Sequence, residues 1–244
     1  MPYFLEKLIF NRPKVALISN EQFSSAYVGQ ILSSLNTIRW WKHRANCINA
    51  LQETFPQANI IVALREPSEY VRSLYSQYIV AGGDGDLQNF WGTEDSNARL
   101  RGKDLEFLPL LQDLGRRFNV FPYTYEEFAQ DKMSVFKGMQ RFFEVNTLPE
   151  IKDHNKINYS LSDLGCMKLR EYTRQCHADG KPIKEILIGL KKLKAKLENG
   201  DNPAMKGGLQ MPYELKSKIK DYYRDDWSET CKFIKMIRSG VERA

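Results

Sequence analysis

The feature that most constrains the fold is residues 58–83, where a short apolar run leads directly into a helical segment. Residues 60–64, IIVAL, contain no polar side chain and are too few for a helix, so they predict a strand buried on both faces of a parallel sheet. Arg65 ends this strand, and Pro67 suits the first turn of a helix, where its missing N–H is not needed. We expect that helix to reach about Val80 and to stop at the glycine pair that follows.

The carboxyl end of this strand is a candidate ligand site, because open α/β sheets bind ligands outside the carboxyl ends of their strands. Arg65 stands at this end, and Ser73 follows about two turns into the helix. A guanidinium and a hydroxyl beside a helix N-terminus can bind a phosphate. The alternative is a surface Arg that closes a strand and a Ser that faces solvent.

Arg65, Pro67, Ser73 and Tyr75 form the pattern Arg-x-Pro-x5-Ser-x-Tyr. This pattern resembles the 3′-phosphate-binding motif of sulfotransferases that use 3′-phosphoadenosine-5′-phosphosulfate (PAPS), among them bacterial members that act on carbohydrates. The resemblance implies that Arg65 and Ser73 bind the 3′-phosphate of the nucleotide. It also implies a three-layer α/β fold, with a parallel sheet flanked by helices and a helical C-terminal part, related to P-loop nucleotide-binding folds.

Further segments carry the resemblance over most of the chain. Residues 14–19, KVALIS, predict a second buried strand, and the turn that ends it, Ser19-Asn20-Glu21, resembles the family's Ser-x-Glu turn at the active-site crevice. Residues 119–126 predict a third strand, which ends in Tyr-Glu and precedes a helix, as in the family. The start of a C-terminal helix in bacterial members is matched by four residues: Asn158, Ser160, Leu161 and Ser162.

Two side chains are candidates for the base that takes the proton of the acceptor hydroxyl during sulfuryl transfer. The resemblance implies Glu21, although this residue could instead favour the dipole of a helix first turn. His43, on a helix predicted over residues 31–55, is the rival candidate. His43 and Arg44 could also lie on a solvated face of that helix, and Arg44 could reach a phosphate.

Two loops are candidate walls of the site. The loop after residue 83 carries Phe90 and Trp91, whose rings could line a sugar-binding cleft or could pack on the core. The loop over residues 199–208 carries Lys206, which resembles by position the Lys/Gly loop that closes over the nucleotide in many sulfotransferases. Nucleotide binding by Lys206 is implied by this resemblance.

Three later segments have helical periodicity, over residues 105–118, 183–197 and 209–238. In the second, six apolar residues should face the core and the lysines should face outward; the six are Ile183, Ile186, Leu187, Leu190, Leu193 and Leu197. These lysines could contact an anionic surface or could simply be solvated. They also support an alternative function, that of a basic interaction protein which docks on an acidic partner.

One part of the family pattern is missing. Sulfotransferases bind the 5′-phosphosulfate in a loop whose amides and basic side chain stabilise the transferring group, and residues 1–50 contain no such loop. We therefore expect a single sulfotransferase-like domain over residues 1–244 that lacks the first strand, loop and helix, with a mainly helical part over residues 150–244. Such a chain should bind the nucleotide product and transfer sulfate poorly, unless another segment supplies the 5′ donors.

The composition fits a protein that binds an anion. The net charge is +6, and no zinc-finger, helix-turn-helix or ribonucleoprotein pattern points to nucleic acid. The four cysteines form no CxxC pair, so we expect no metal, reduced thiols and a cytoplasmic location. No apolar run approaches the ~20 residues of a membrane span, and no signal peptide is evident.

The sequence thus predicts an enzyme that transfers a sulfuryl group from PAPS to a hydroxyl acceptor, most simply a carbohydrate or a small molecule. A non-catalytic relative that binds 3′-phosphoadenosine-5′-phosphate (PAP) or another anion is the alternative. The acceptor and a homo-oligomeric state are left open.

Overall fold

A computed structural model describes residues 40–145, 161–198 and 208–241 of the chain. These residues form a mixed α/β structure that is mostly helical. Their α-helices are α1 (Trp40–Thr54), α2 (Pro67–Val80), α3 (Phe107–Arg117), α4 (Tyr125–Gln130), α5 (Lys132–Phe142), α6 (Asp163–Ala178), α7 (Ile183–Glu198), α8 (Tyr213–Tyr222) and α9 (Arg224–Val241). The strands are β1 (Asn59–Leu64), β2 (Trp91–Gly92), β3 (Leu100–Arg101) and β4 (Asn119–Thr124), and 3-10 helices cover Leu87–Asn89 and Gly102–Leu105.

The strands β1 and β4 form a parallel pair, in register from Asn59 opposite Asn119 to Leu64 opposite Thr124. Both strands therefore end at the same edge, and the residues that follow them lie side by side. The predicted strands at 60–64 and 119–126 are confirmed as a parallel pair, although the second ends at Thr124. The described residues do not confirm a three-layer sheet, and the strand predicted over 14–19 lies outside them.

Strand β1 is less buried than the sequence predicts. Its first and fifth residues are exposed, the three after the first are half-buried, and Leu64 is buried. Among the described residues, β4 is the one strand that pairs with β1. The expectation of burial on both faces is wrong for this part of the chain.

Three apolar clusters hold the described elements together. One joins α2, α6, α7 and α8 with the segment that contains Phe90 and Trp91. A second joins α1, β1, α3, β4 and α9, and a third packs α5 against β4. Phe90 and Trp91 are 7% and 3% exposed, so their rings pack on the core and do not line a cleft.

Helix α2 begins and ends as predicted. Glu66 is its N-cap, Pro67 occupies its first turn and Ala81 is its C-cap. Gly82 follows with φ of +93°, a left-handed conformation that glycine adopts at little cost and that commonly ends helices.

The single helix predicted over residues 209–238 is wrong, because α8 ends at Tyr222 and α9 begins at Arg224. Tyr223, between the two helices, is buried in the first cluster, whereas Ile234 of α9 is buried in the second. With the helix interrupted at Tyr223, one amphipathic stretch contributes residues to both clusters.

Helix α7 buries a narrower stripe than its periodicity predicts. Ile186 and Leu190 are buried, but Ile183 and Leu187 are 55% and 42% exposed. The helix packs on α6 and α2 along the stripe of Ile186 and Leu190, which leaves the other two residues on its shoulder beside Gly82. None of the described helices is long and apolar enough to cross a membrane.

Candidate functional site

The common carboxyl edge of β1 and β4 carries the best candidate site. Arg65 follows β1 directly, and its Cζ lies 4.1 Å from the ring centroid of Tyr125, the first residue after β4. Tyr125 is 49% exposed. The guanidinium of Arg65 lies over this ring, and no carboxylate among the described residues forms an ion pair with it.

Ser73 lies on α2, about 9 Å along the helix axis from Pro67. Its side chain is half-buried, and its hydroxyl makes no hydrogen bond to the described residues. Arg65 and Ser73 thus belong to one strand–helix unit, and each presents unused donors.

The N-terminus of α2 is already occupied by a carboxylate. The side chain of Glu66 accepts hydrogen bonds from the backbone N–H groups of Ser68 at 3.1 Å and Glu69 at 3.3 Å, and from the Ser68 hydroxyl. This cap satisfies first-turn donors and places a negative charge at the positive end of the helix dipole. A ligand phosphate at this edge must therefore be bound by side chains, and not by the first-turn amides that the sequence suggested.

Glu126 connects the ends of the two strands. Its Oε1 accepts a hydrogen bond from the backbone N–H of Glu66 at 3.4 Å, which ties the residue after Arg65 to helix α4. Its Oε2 is buried and has no hydrogen-bond partner in the part of the chain that the structure describes. The edge of the sheet is therefore fixed by contacts between residues that are remote in sequence.

A second set of charges ties α8 to α2. Glu69 pairs with Arg72 at 2.7 Å and with Lys216 of α8 at 2.8 Å. Burial acts to raise the pKa of Glu69, but the hydrogen bond from Lys216 and the positive charges of Arg72, Lys216 and Arg65 outweigh it and lower the pKa. Arg72 also donates to the carbonyl of Leu209 at 3.3 Å, so the start of the described C-terminal segment is held beside the site.

Tyr75, the last residue of the sequence motif, has a structural role. Its hydroxyl donates to the carbonyl of Gly85 at 3.0 Å and accepts from Arg170 at 3.4 Å. Burial raises the pKa of the Tyr75 phenol, against the opposing effect of Arg170. The side chain is 1% exposed and holds α2 against α6 and the following loop.

Of the other predicted site residues, the structure describes the side chain of Arg44 but not those of Glu21, His43 and Lys206. Glu21 and Lys206 lie outside the described residues. His43 belongs to α1, but its side chain is not among those that the structure describes. The expected solvated face is wrong for Arg44, whose half-buried guanidinium donates to the carbonyls of Asp104 at 3.4 Å and Glu106 at 3.5 Å.

Burial lowers the pKa of Arg44, although nearby carboxylates act to raise it. Its contacts fix α1 to residues 104–106, which explains why it is not a free phosphate ligand.

Tyr125 and Glu126 are the site residues that the sequence reasoning noticed without assigning a role. The available signal was their place at the end of the strand predicted over residues 119–126. Lys216 gave no comparable signal, because its partner Glu69 is far away in the sequence.

Comparisons with protein-family models, with curated proteins and with solved structures found no match for this chain.

Proposed function

We propose that the chain binds a 3′-phosphorylated adenine nucleotide at the carboxyl edge of β1 and β4, and that it transfers a sulfuryl group from PAPS to a hydroxyl acceptor, most simply a carbohydrate. The observation that supports this proposal is Arg65, a guanidinium without an ion-pair partner among the described residues, stacked on an exposed ring at a parallel-strand end. We also propose that β1 and β4 belong to a larger sheet of the three-layer kind related to P-loop nucleotide-binding folds.

The chemistry of the edge suits a phosphate. The planar guanidinium of Arg65 can bind two phosphate oxygens at once, and the hydroxyl of Ser73 can donate to a third. Glu66 and Glu69 would repel an anion, but Glu69 is neutralised by Arg72 and Lys216. Arg65 is therefore the main positive charge that attracts the ligand. Lys206, which lies outside the described residues, would close over the nucleotide.

The proposed reaction is an in-line displacement. The acceptor oxygen forms a bond to the sulfur of PAPS while the bond between that sulfur and the bridging phosphate oxygen breaks, which releases PAP. The acceptor hydroxyl loses its proton to a general base. Glu21 is the leading base, with His43 as its rival, and the reaction requires no metal in this scheme.

A transfer assay tests the catalytic part of the proposal, which requires that a segment other than the loop missing from residues 1–50 supplies the donors to the 5′-phosphosulfate. Labelled PAPS and a panel of sugar acceptors are supplied to the wild type, to Glu21→Gln and to His43→Ala. If Glu21 is the base, Glu21→Gln should lower the transfer rate by about 10²-fold or more and leave the affinity for PAP unchanged. A loss in His43→Ala alone would move the role to His43. Binding of PAP without transfer to any acceptor would identify a non-catalytic nucleotide-binding protein.

A further inference from the structure

We propose that Tyr125 and Glu126, the two residues after β4, are positioning residues for Arg65, the residue after β1. Tyr125 fixes the plane of the guanidinium, and Glu126 fixes the backbone next to it. The nucleotide that Arg65 would bind rests on the proposed function, but the positioning itself is a property of this chain.

The side-chain contact follows from the register of the sheet. Leu64 pairs with Thr124, so Arg65 and Tyr125 leave the sheet side by side. The guanidinium carbon lies over the ring, 4.1 Å from its centroid, which is within the range of a cation–π contact. Such stacking covers a face of the guanidinium and leaves its N–H groups, which lie in the plane, free to meet a planar pair of oxygens.

The backbone contact acts on the next residue. Glu126 accepts a hydrogen bond from the N–H of Glu66 at 3.4 Å, and Glu66 caps α2. The other oxygen of Glu126 is buried and has no hydrogen-bond partner among the described residues. Glu126 therefore links the start of α4 to the backbone that directly follows Arg65.

The helix that carries both residues is itself well fixed. Thr124 and Glu127 form a capping box, with bonds of 3.1 and 2.9 Å between each side chain and the other residue's backbone N–H. Arg238 of α9 pairs with Glu127 at 3.2 Å and lies over the ring of Phe121. The ring of Tyr125 is therefore presented by an anchored short helix, and not by a free loop.

The side-chain part is tested by a double-mutant cycle on the full chain, with PAP affinity as the readout. Tyr125→Leu should weaken PAP binding about 3- to 30-fold, whereas Tyr125→Phe should keep the wild-type affinity because it keeps the ring. In an Arg65→Ala background, Tyr125→Leu should have no further effect. Tyr213→Leu is the matched control, since Tyr213 is 84% exposed, and it should bind PAP as the wild type does.

Two nuclear magnetic resonance measurements test the positioning without any nucleotide. The Nε–H signal of Arg65 should show a ring-current shift in the wild type and in Tyr125→Phe that Tyr125→Leu loses. The backbone amide of Glu66 should exchange faster in Glu126→Ala and keep its protection in Glu126→Gln, whose amide oxygen can still accept the hydrogen bond.

The outcomes separate the two proposals. If wild type binds no PAP but both spectroscopic effects occur, the positioning stands and the proposed function fails. If Tyr125→Leu leaves the Arg65 signal unchanged, or weakens PAP binding equally with and without Arg65, Tyr125 does not position Arg65. If Glu66 exchanges at the same rate in Glu126→Ala as in wild type, Glu126 has no hold on the strand end.

Discussion

The buried hydroxyl of Tyr223 forms hydrogen bonds to two residues that are remote from it in the sequence. It donates to the carbonyl of Gly102 at 2.6 Å and accepts from the indole N–H of Trp91 at 3.0 Å. Burial raises the pKa of this phenol well above its ordinary value, so the hydroxyl stays protonated and can serve both partners. The segment of β2 and β3 is thereby fastened to the junction of α8 and α9.

Replacement of Tyr223 by Phe should leave one buried donor and one buried acceptor without a partner. We expect Tyr223→Phe to lower the free energy of unfolding by about 1–3 kcal/mol, measured by urea denaturation. Tyr213→Phe, at an exposed position, is the control and should be within about 0.5 kcal/mol of the wild type. An unchanged Tyr223→Phe variant would mean that this hydroxyl contributes nothing to stability.

The ion pairs of Glu69 should make the free energy of unfolding depend on pH in the acid range. Burial acts to raise its pKa, but Lys216, Arg72 and Arg65 bring the pKa below its ordinary value. A carboxyl with a depressed folded pKa contributes stability above its unfolded pKa, and this contribution is lost as the pH falls through the folded pKa. The loss should therefore occur at acid pH, below the ordinary range of a glutamate.

We expect Glu69→Gln to show a smaller fall in unfolding free energy than wild type between neutral pH and about pH 3, measured by urea denaturation at each pH. Glu171→Gln is the control, because Glu171 is exposed on α6 and has no ion pair to the described residues. An identical fall in wild type and Glu69→Gln would show that the ion pairs of Glu69 do not act on stability.

Arg44 and Arg65 show what the sequence can and cannot say about single residues. Arg65 was predictable, because its place after a short apolar run puts it at a strand end. The contacts of Arg44 could not be predicted, because its acceptors are carbonyls about 60 positions away and no local sequence pattern indicates them. The role of Tyr125 required both the parallel pairing and the side-chain geometry.

Helix α3 depends on a cap from another helix. The backbone N–H groups of Phe107 and Leu108 donate to Asp226 of α9 at 3.0 and 3.2 Å, whereas its own N-cap residue, Glu106, forms no side-chain bond to them. Burial raises the pKa of Asp226, although these two bonds and Arg44 oppose the effect. The carboxylate of Asp226 thus accepts the first-turn hydrogen bonds of α3 that a local Ser or Asp N-cap usually accepts.

Asp226→Ala should lower the unfolding free energy by about 0.5–2 kcal/mol, because it removes both acceptors at the start of α3. Asp226→Asn keeps one side-chain oxygen and should lose less. Asp225→Ala is a matched control, since Asp225 shares the first turn of α9 but is exposed. Equal losses in Asp225→Ala and Asp226→Ala would assign the effect to the dipole of α9 and not to the cap of α3.

At the scale of elements, the sequence predicts those helix ends that depend on neighbouring residues in the chain. The start of α2 was predictable from Pro67, and its end from the glycine pair. The break between α8 and α9 was not, because Leu215, Ile219, Tyr223 and Trp227 keep an unbroken helical spacing. The break depends on which of two clusters each residue enters, and that is decided by distant parts of the chain.

At the scale of the whole molecule, α9 connects the clusters to the site. It packs on α3, β4 and α5, and its Arg238 holds the helix that carries Tyr125. The parallel pairing of β1 and β4 was predictable from two short apolar runs separated by helical segments. The described residues contain two strands of this sheet, β1 and β4, whereas the resemblance implied a larger one.

The central claim is that the carboxyl edge of β1 binds the 3′-phosphate of a nucleotide through Arg65. PAP and adenosine 5′-phosphate differ by that phosphate, so calorimetric titration of both measures its contribution directly. The control is Arg116→Ala, which removes an exposed arginine of α3.

Wild type and Arg116→Ala should bind PAP more tightly than adenosine 5′-phosphate by about 1.5–3 kcal/mol. Arg65→Ala should bind the two nucleotides almost equally, because the guanidinium that recognises the 3′-phosphate is gone. Equal affinities in wild type, or a preference for PAP that survives in Arg65→Ala, would contradict the claim.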